Sequence, residues 1–402
     1  MVSSVEQAAV LTNRQLFRGV LCERTVKLPL SAAGVQASRL AAGADGSFIF
    51  ATGPDVYKLK CSPTRKRARS EEDDGGSAGG KDAPAVSRAI ADDYLVPAPF
   101  GEISAERFVI HCAHRAQVES VAADEWRVAS VDAYGRCIIT CTEQIHGGEH
   151  ARSDACIEKT RSYTLAPVSL SDGDGGWCGV SLRRNDSTTA VVARQMYRDV
   201  SIFDIDTAVR RMHTIAAPQA VTVCGEGDVI GIAERKELSL FDGRVGENDG
   251  CTGRKNLGHG RLLCLDSSDD GLVVAAGGMD RVLHVFDVRM MKVRERWSGC
   301  LKYEMGGCVL SREMEGMAYV CSVDNEVACG AWSSEMAAQV VRHVGTSKSV
   351  MISGANTKSA RRAFGFRGDV RLTGIARRNV HGEEVGVMSE SGAFYLLRTR
   401  LE

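Results

Sequence analysis

The sequence predicts an all-β fold, a closed seven-bladed β-propeller interrupted by insertions, and three observations carry that expectation. In Gly258–Arg289, the apolar runs Leu262–Leu265, Leu272–Ala276 and Val282–Phe286 are separated by a Ser/Asp turn and by Gly277-Gly278. Strand formers thus alternate with turn formers. An aromatic-Asp pair closes this unit and two before it: Phe203 to Phe241 is 38 residues and Phe241 to Phe286 is 45, the length of one blade. Finally, Gly numbers 42 of 402 residues and Pro only 8, which favours many tight turns over a Pro-rich disordered chain.

Composition bounds the function classes. A chain that is 44% hydrophobic can bury a large core. Lys+Arg is 50 against Asp+Glu at 51, so net charge gives no reason to expect nucleic acid or a membrane surface as partner. The 14 cysteines include no C-x-x-C pair, and several fall inside strand-like runs. Free thiols in a reducing compartment are expected. Glu6, Asn13 and Arg14 interrupt the N-terminus, which does not read as a signal peptide, and no run is apolar enough to span a membrane.

In order, residues 1–24 are expected as a leader and 25–402 as the propeller. Thr25–Leu30 reads as a strand that completes the last blade and so joins the chain ends. Ser47–Thr52 and Val56–Lys60 form a hairpin about Gly53-Pro54-Asp55, the middle of the first blade. Residues 61–100 pass from a basic cluster through an acidic run to a Gly/Ser linker, and read as a disordered insertion within the propeller. The second blade takes Phe108–Cys112, Val118–Ala122, Arg127–Val131 and Cys137–Cys141. Residues 145–176 are polar, with one short run at Tyr163–Val168. The third blade runs from Trp177 to Asp204, the fourth from Ala220 to Asp242, and the fifth is Gly258–Arg289. Cys308–Leu310, Ala318–Ser322 and Val327–Trp332 make the sixth. A long loop from Ser333 to Asp369 leads to the seventh, Leu372–Ala376, Glu384–Met388 and Phe394–Leu397.

Gly258-His259 and Phe286-Asp287 resemble the "GH … WD" frame of a WD40 repeat. The resemblance covers most of Thr25–Glu402 and is specific across 177–334; overall the chain resembles a plant-type WD40 (transducin-like) group, which brings no activity with it. It implies a structural network from His259 to Asp280, with His114 in the same place in the second blade. Phe286 stands where the family has Trp, and Ala275 or Ala276 where it often has Ser or Thr. Phe241-Asp242-Gly243-Arg244 and Phe286-Asp287-Val288-Arg289 resemble the W-D-x-R box of substrate receptors for cullin-RING ubiquitin ligases. That likeness implies an adaptor contact through Asp242, Arg244, Asp287 and Arg289.

Catalytic motifs are weak. His146-Gly-Gly-Glu149-His150 fits H-x-x-E-H, but Gly147-Gly148 would cost a ligand-bearing helix about 2 kcal/mol. A solvated loop is expected there. Gly173-Asp-Gly175-Gly176 and Gly354–Ser359 lack the remaining positions of phosphate-binding loops. Neither a catalytic residue, a metal nor a cofactor is expected. Arg65, Lys66, Arg67 and Arg69 resemble a nuclear import signal, and Ser70 beside them is a candidate phosphosite. Residues 342–371 carry an excess of Arg and Lys that a mobile basic loop would explain, and nucleic acid is not expected as partner. The expectation is a non-catalytic, nuclear protein-interaction scaffold, with a cytoplasmic share allowed. A ubiquitin-ligase receptor is the alternative, and a metal enzyme using residues 146–150 the minor one.

Overall fold

Seven sheets form the blades of a propeller. The computed structural model describes residues 17–401 apart from 30, 33, 44, 62–88, 93–94, 99–100, 109–112, 145–157, 166–174, 185, 187, 246–249, 259, 345–360 and 381. The chain starts with β1 (Phe17–Thr25), followed by β2 (Leu40–Ala42), β3 (Phe48–Thr52) and β4 (Asp55–Cys61) of blade 1. It then leaves that blade: β5 (Ile90–Ala91) and β6 (Leu95–Pro97) lie on other sheets, and β7 (Ile103–Arg107) returns as the outer strand of blade 1.

Blades 2 to 5 are consecutive meanders. They comprise β8 (Val118–Ala123), β9 (Arg127–Asp132), β10 (Cys137–Gln144) and β11 (Glu158–Leu165), then β12 (Cys178–Leu182), β13 (Thr189–Arg194), β14 (Asp199–Asp204) and β15 (Thr207–His213). Blade 4 is β16 (Pro218–Val223), β17 (Val229–Glu234), β18 (Glu237–Asp242) and β19 (Cys251–Asn256); blade 5 is β20 (Leu262–Ser267), β21 (Val273–Gly278), β22 (Val282–Asp287) and β23 (Lys292–Ser298). Blade 6 takes β24 (Met305–Leu310), β25 (Met317–Ser322), β26 (Glu326–Ala331), helix α1 (Ser334–Val344) and β27 (Arg362–Arg367). Blade 7 takes β28 (Leu372–Asn379), β29 (Glu383–Ser389) and β30 (Ala393–Leu401).

The strand patterns follow from position in the blade. Middle strands such as β9, β13, β21 and β25 are buried at every residue, because neighbouring blades cover both their faces. Outer strands β15, β19 and β23 are rich in Arg and Lys and largely exposed. The core is correspondingly divided. Seven apolar clusters fill the seven interfaces between adjacent blades, including one in which Phe48 and Leu59 of blade 1 meet Met388 and Phe394 of blade 7. The ring is closed.

Closure uses the N-terminal strand, displaced from its expected place. β1 pairs antiparallel with β30 from Phe17↔Leu401 to Thr25↔Ala393, so residues 17–24 belong to the propeller and not to a leader. Leu21 and Cys22 are buried and supply the apolar content. The expected strand Thr25–Leu30 includes Pro29, which has no N–H to give a ladder.

The insertion also departs from expectation at its end. Residues 62–88 lie outside the described residues. After them, β5 pairs antiparallel with β27 on the outside of blade 6, and β6 pairs parallel with β1 on the outside of blade 7. The Asp92 N–H donates to the Gly365 carbonyl at 2.9 Å, the Ala98 N–H to the Leu21 carbonyl at 2.8 Å, and Leu95 is buried in the core between blades 6 and 7. This segment therefore laces the two blades that flank the seam, before β7 completes blade 1. Strands this short leave almost no periodic signal.

The loop expected from Ser333 to Asp369 instead begins with α1 and ends in β27. The Met336 N–H donates to Ser333 Oγ at 3.1 Å as an N-cap, Glu335 sits in the first turn, and Val340 is buried. Among the described residues no helix is long and apolar enough to cross a membrane.

Candidate functional site

The inner strands β2, β8, β12, β16, β20, β24 and β28 line a central channel, and its two ends differ. Where these strands begin, side chains cross the opening. Gln36 Nε2 donates to Gln219 Oε1 at 3.1 Å, from blade 1 to blade 4, and Trp177 Nε1 donates to Ser38 Oγ at 3.4 Å. Only about 190 Å³ of space lies beneath them. Where the strands end, the channel opens into a cavity of about 490 Å³ lined by all seven blades. Trp126 and Val380 stand exposed in its wall.

Three arginines converge at this strand-end face. The Ser268–Gly271 turn of blade 5 holds Asp269, half exposed. Arg184 of blade 3 donates to it through Nη1; Arg312 of blade 6 reaches it through Nε at 2.7 Å; and Arg377 of blade 7 stands 3.7 Å away through Nη2. Only 6% of the Arg377 side chain is exposed, and its Nε has no hydrogen-bond partner. Burial, then the Arg312 guanidinium, draws Arg184 down to about 10; burial also lowers Arg377 despite the opposing Asp266 carboxylate. Arg184 and Arg377 nonetheless stay charged at neutral pH.

The neighbouring carboxylates are committed locally. Asp266 accepts the Leu310 N–H at 2.7 Å, Asp124 holds Arg127 at 2.7 Å, and Asp186 accepts from the N–H groups of Thr188 and Thr189 at 2.8 and 3.3 Å. Three guanidinium groups thus reach the carboxylate of Asp269, and the Asp266 carboxylate also acts on Arg184 and Arg377. Such a mouth can hold a further anion.

No family model matches the chain, and no curated protein matches it. Among solved structures, a chain in the crystal structure of the mitotic checkpoint complex is similar, with a TM-score of 0.57 and 11% identity over 93% of this chain and 90% of that one. The likeness shows the fold alone.

The sequence-predicted residues are distributed over the molecule. His114 lies at the strand-start face, where its Nε2 shares a hydrogen bond with Ser130 Oγ at 2.7 Å and its Nδ1 faces Asp132 Oδ2 at 3.3 Å. Asp132 Oδ1 also accepts the N–H groups of Tyr134 and Arg136 at 3.1 and 3.0 Å, so the carboxylate caps the turn as it holds the ring. Asp280 faces Nε2 of His284, on the next strand of its own blade, at 2.8 Å; His259, its expected partner, lies outside the described residues. Other blades replace the His–Ser–Asp arrangement. Arg194 pairs with buried Asp199 in blade 3, and Ser391 and Tyr395 donate to Asp369 in blade 7.

Asp242 and Arg244 occupy each other. Arg244 donates through Nε at 3.0 Å and Nη2 at 2.9 Å to Asp242, and its Nε lies 3.5 Å from Asp228 of the adjacent turn. Hydrogen bonds from the Arg244 side chain and its N–H hold the Asp242 carboxyl below the usual range. Asp287 accepts the Met290 N–H at 2.8 Å, while Arg289 is exposed. Within the basic stretch, Arg361 pairs with Glu295, Arg362 with Asp92 and Glu326, and Arg371 with Glu390. Lys348 and Lys358 fall outside the described residues, as do Arg65, Lys66, Arg67, Arg69, Ser70, His146, Glu149 and His150. Sequence reading did not single out Arg184, Arg312, Arg377 or Asp269 as a group. They are scattered over four blades, and only ring closure brings them together.

Proposed function

We propose that the protein is a non-catalytic interaction scaffold that binds other proteins at the strand-end mouth of its channel. One observation carries the reading. The strand-end opening combines converging guanidinium groups with an exposed Trp126, and arginine and tryptophan are among the residue types enriched at the energetic centre of protein interfaces. Among the described residues, no group of three or more His, Cys, Asp or Glu side chains could hold a metal ion. We further propose a nuclear location through Arg65, Lys66, Arg67 and Arg69. The ubiquitin-ligase receptor reading has less support, because Arg244 is folded back onto Asp242.

Affinity purification of the full chain under native conditions, followed by size-exclusion chromatography, tests the scaffold reading. A stoichiometric protein complex is expected; a chain that elutes alone, with a turnover activity, contradicts it. For location, changing the four basic residues to Ala should abolish nuclear accumulation of the tagged protein.

A further inference from the structure

The charge balance at the mouth goes beyond a generic binding face. Three guanidinium groups from blades 3, 6 and 7 meet around one carboxylate from blade 5. Arg377 is the most informative of the three, since a charged side chain so deeply buried is normally fully paired, yet its Nε has no partner. Asp269 satisfies the cluster only in part, and it does so from a turn where its side chain is half exposed. An oxyanion entering the cavity would meet three guanidinium groups, whose planar forks favour carboxylate or phosphoryl oxygens.

We propose that this mouth recognises an oxyanion carried on a segment of a partner protein, a phosphorylated or acidic side chain, held by Arg184, Arg312 and Arg377, with a flanking apolar residue against Trp126. Asp269 occupies the same guanidinium groups in the free chain and is displaced or shared on binding. The proposal rests on the scaffold reading but names the ligand chemistry of the site. The cavity, about 490 Å³, suits a side chain with its immediate neighbours and not a folded domain. Asp124, Glu125, Asp186 and Asp266, which also line the cavity, would repel a long run of negative charge, which favours one anion beside an apolar residue over a polyanion.

Calorimetric titration of the full chain tests it with four probes: inorganic phosphate, a short phosphoseryl peptide with a flanking Leu, the same peptide with Glu for phosphoserine, and a short single-stranded oligonucleotide. Saturable phosphate binding is expected, tightened about tenfold by Asp269→Asn, which removes the internal competitor. The peptide should bind more tightly than phosphate and lose that gain in Trp126→Ala. Arg312→Glu, at an exposed position, and Arg184→Ala should each reduce binding about tenfold or more, with melting temperatures checked in parallel. Equal binding of the Glu peptide would assign the oxyanion to a carboxylate, and weaker binding would assign it to a phosphoryl group; either supports the proposal. No saturable binding of any anionic peptide or phosphate, even by Asp269→Asn, would overturn it. So would binding indifferent to both arginine changes, or tighter binding of the oligonucleotide. The scaffold reading fails separately. A protein complex that survives Arg184→Ala with Arg312→Glu leaves the scaffold standing and removes the mouth as its contact, whereas anion binding by a chain that forms no complex does the reverse.

Discussion

Arg362 donates to Asp92 through Nε at 3.1 Å and faces it through Nη2 at 3.0 Å, while its Nη1 donates to Glu326 at 2.7 Å. This guanidinium joins the end of the insertion to the outer half of blade 6, 270 residues away along the chain. Because Asp92 is 42% exposed, the ion pair contributes at most about 1 kcal/mol.

Leu95 carries more of the segment's attachment. It is 3% exposed and packs in the core shared by blades 6 and 7. Leu95→Ala should therefore lower the unfolding free energy by about 2–5 kcal/mol in a denaturant titration. A change within about 0.5 kcal/mol would mean that residues 89–98 do not pack on the ring.

The blade 2 network predicts a second loss. Ser130→Ala leaves the buried Nε2 of His114 without its 2.7 Å partner. The expected cost is about 1–3 kcal/mol, the penalty for an unsatisfied buried polar group. Thermal melting of the variant against the parent measures it.

The inner three strands of most blades were legible because their apolar runs are bounded by Gly, Asp and Ser. The fourth strands were not, since a sequence such as Lys292–Ser298 exposes one face and reads as a polar loop. β1 was misplaced for a related reason: Arg18, Glu23 and Arg24 dilute the run around Leu21. Gly277-Gly278 was read as a turn, yet both lie at the end of β21, where a Cβ on Gly278 would come within 1.9 Å of the Arg261 carbonyl oxygen. His114 was found through its position before a strand, whereas its partners Ser130 and Asp132 required the register of β9 against β10. The arginine mouth had no local signature at all.

Acid titration should reveal Asp186. Burial alone would raise its carboxyl, but the hydroxyl and N–H groups of Thr189 and Thr188 outweigh it and hold the group well below the usual range. A carboxyl depressed in the folded state adds stability above its unfolded value, about 3.9, and that contribution fades as pH falls through the folded value. Melting temperature should thus decline below about pH 4. Asp186→Asn should be less stable at neutral pH and show a shallower decline in that window. An unchanged acid slope would contradict the assignment.

The mouth exists only where a single closed ring holds blades 3, 5, 6 and 7 around one axis. Amide hydrogen exchange on the full-length chain tests closure most directly. Peptides covering Phe17–Thr25 and Ala393–Leu401 should exchange as slowly as the inner strand Leu262–Ser267, because their backbones pair along the whole of β1. Exchange of Phe17–Thr25 at the rate of an unstructured chain, with the rest of the propeller protected, would contradict the account.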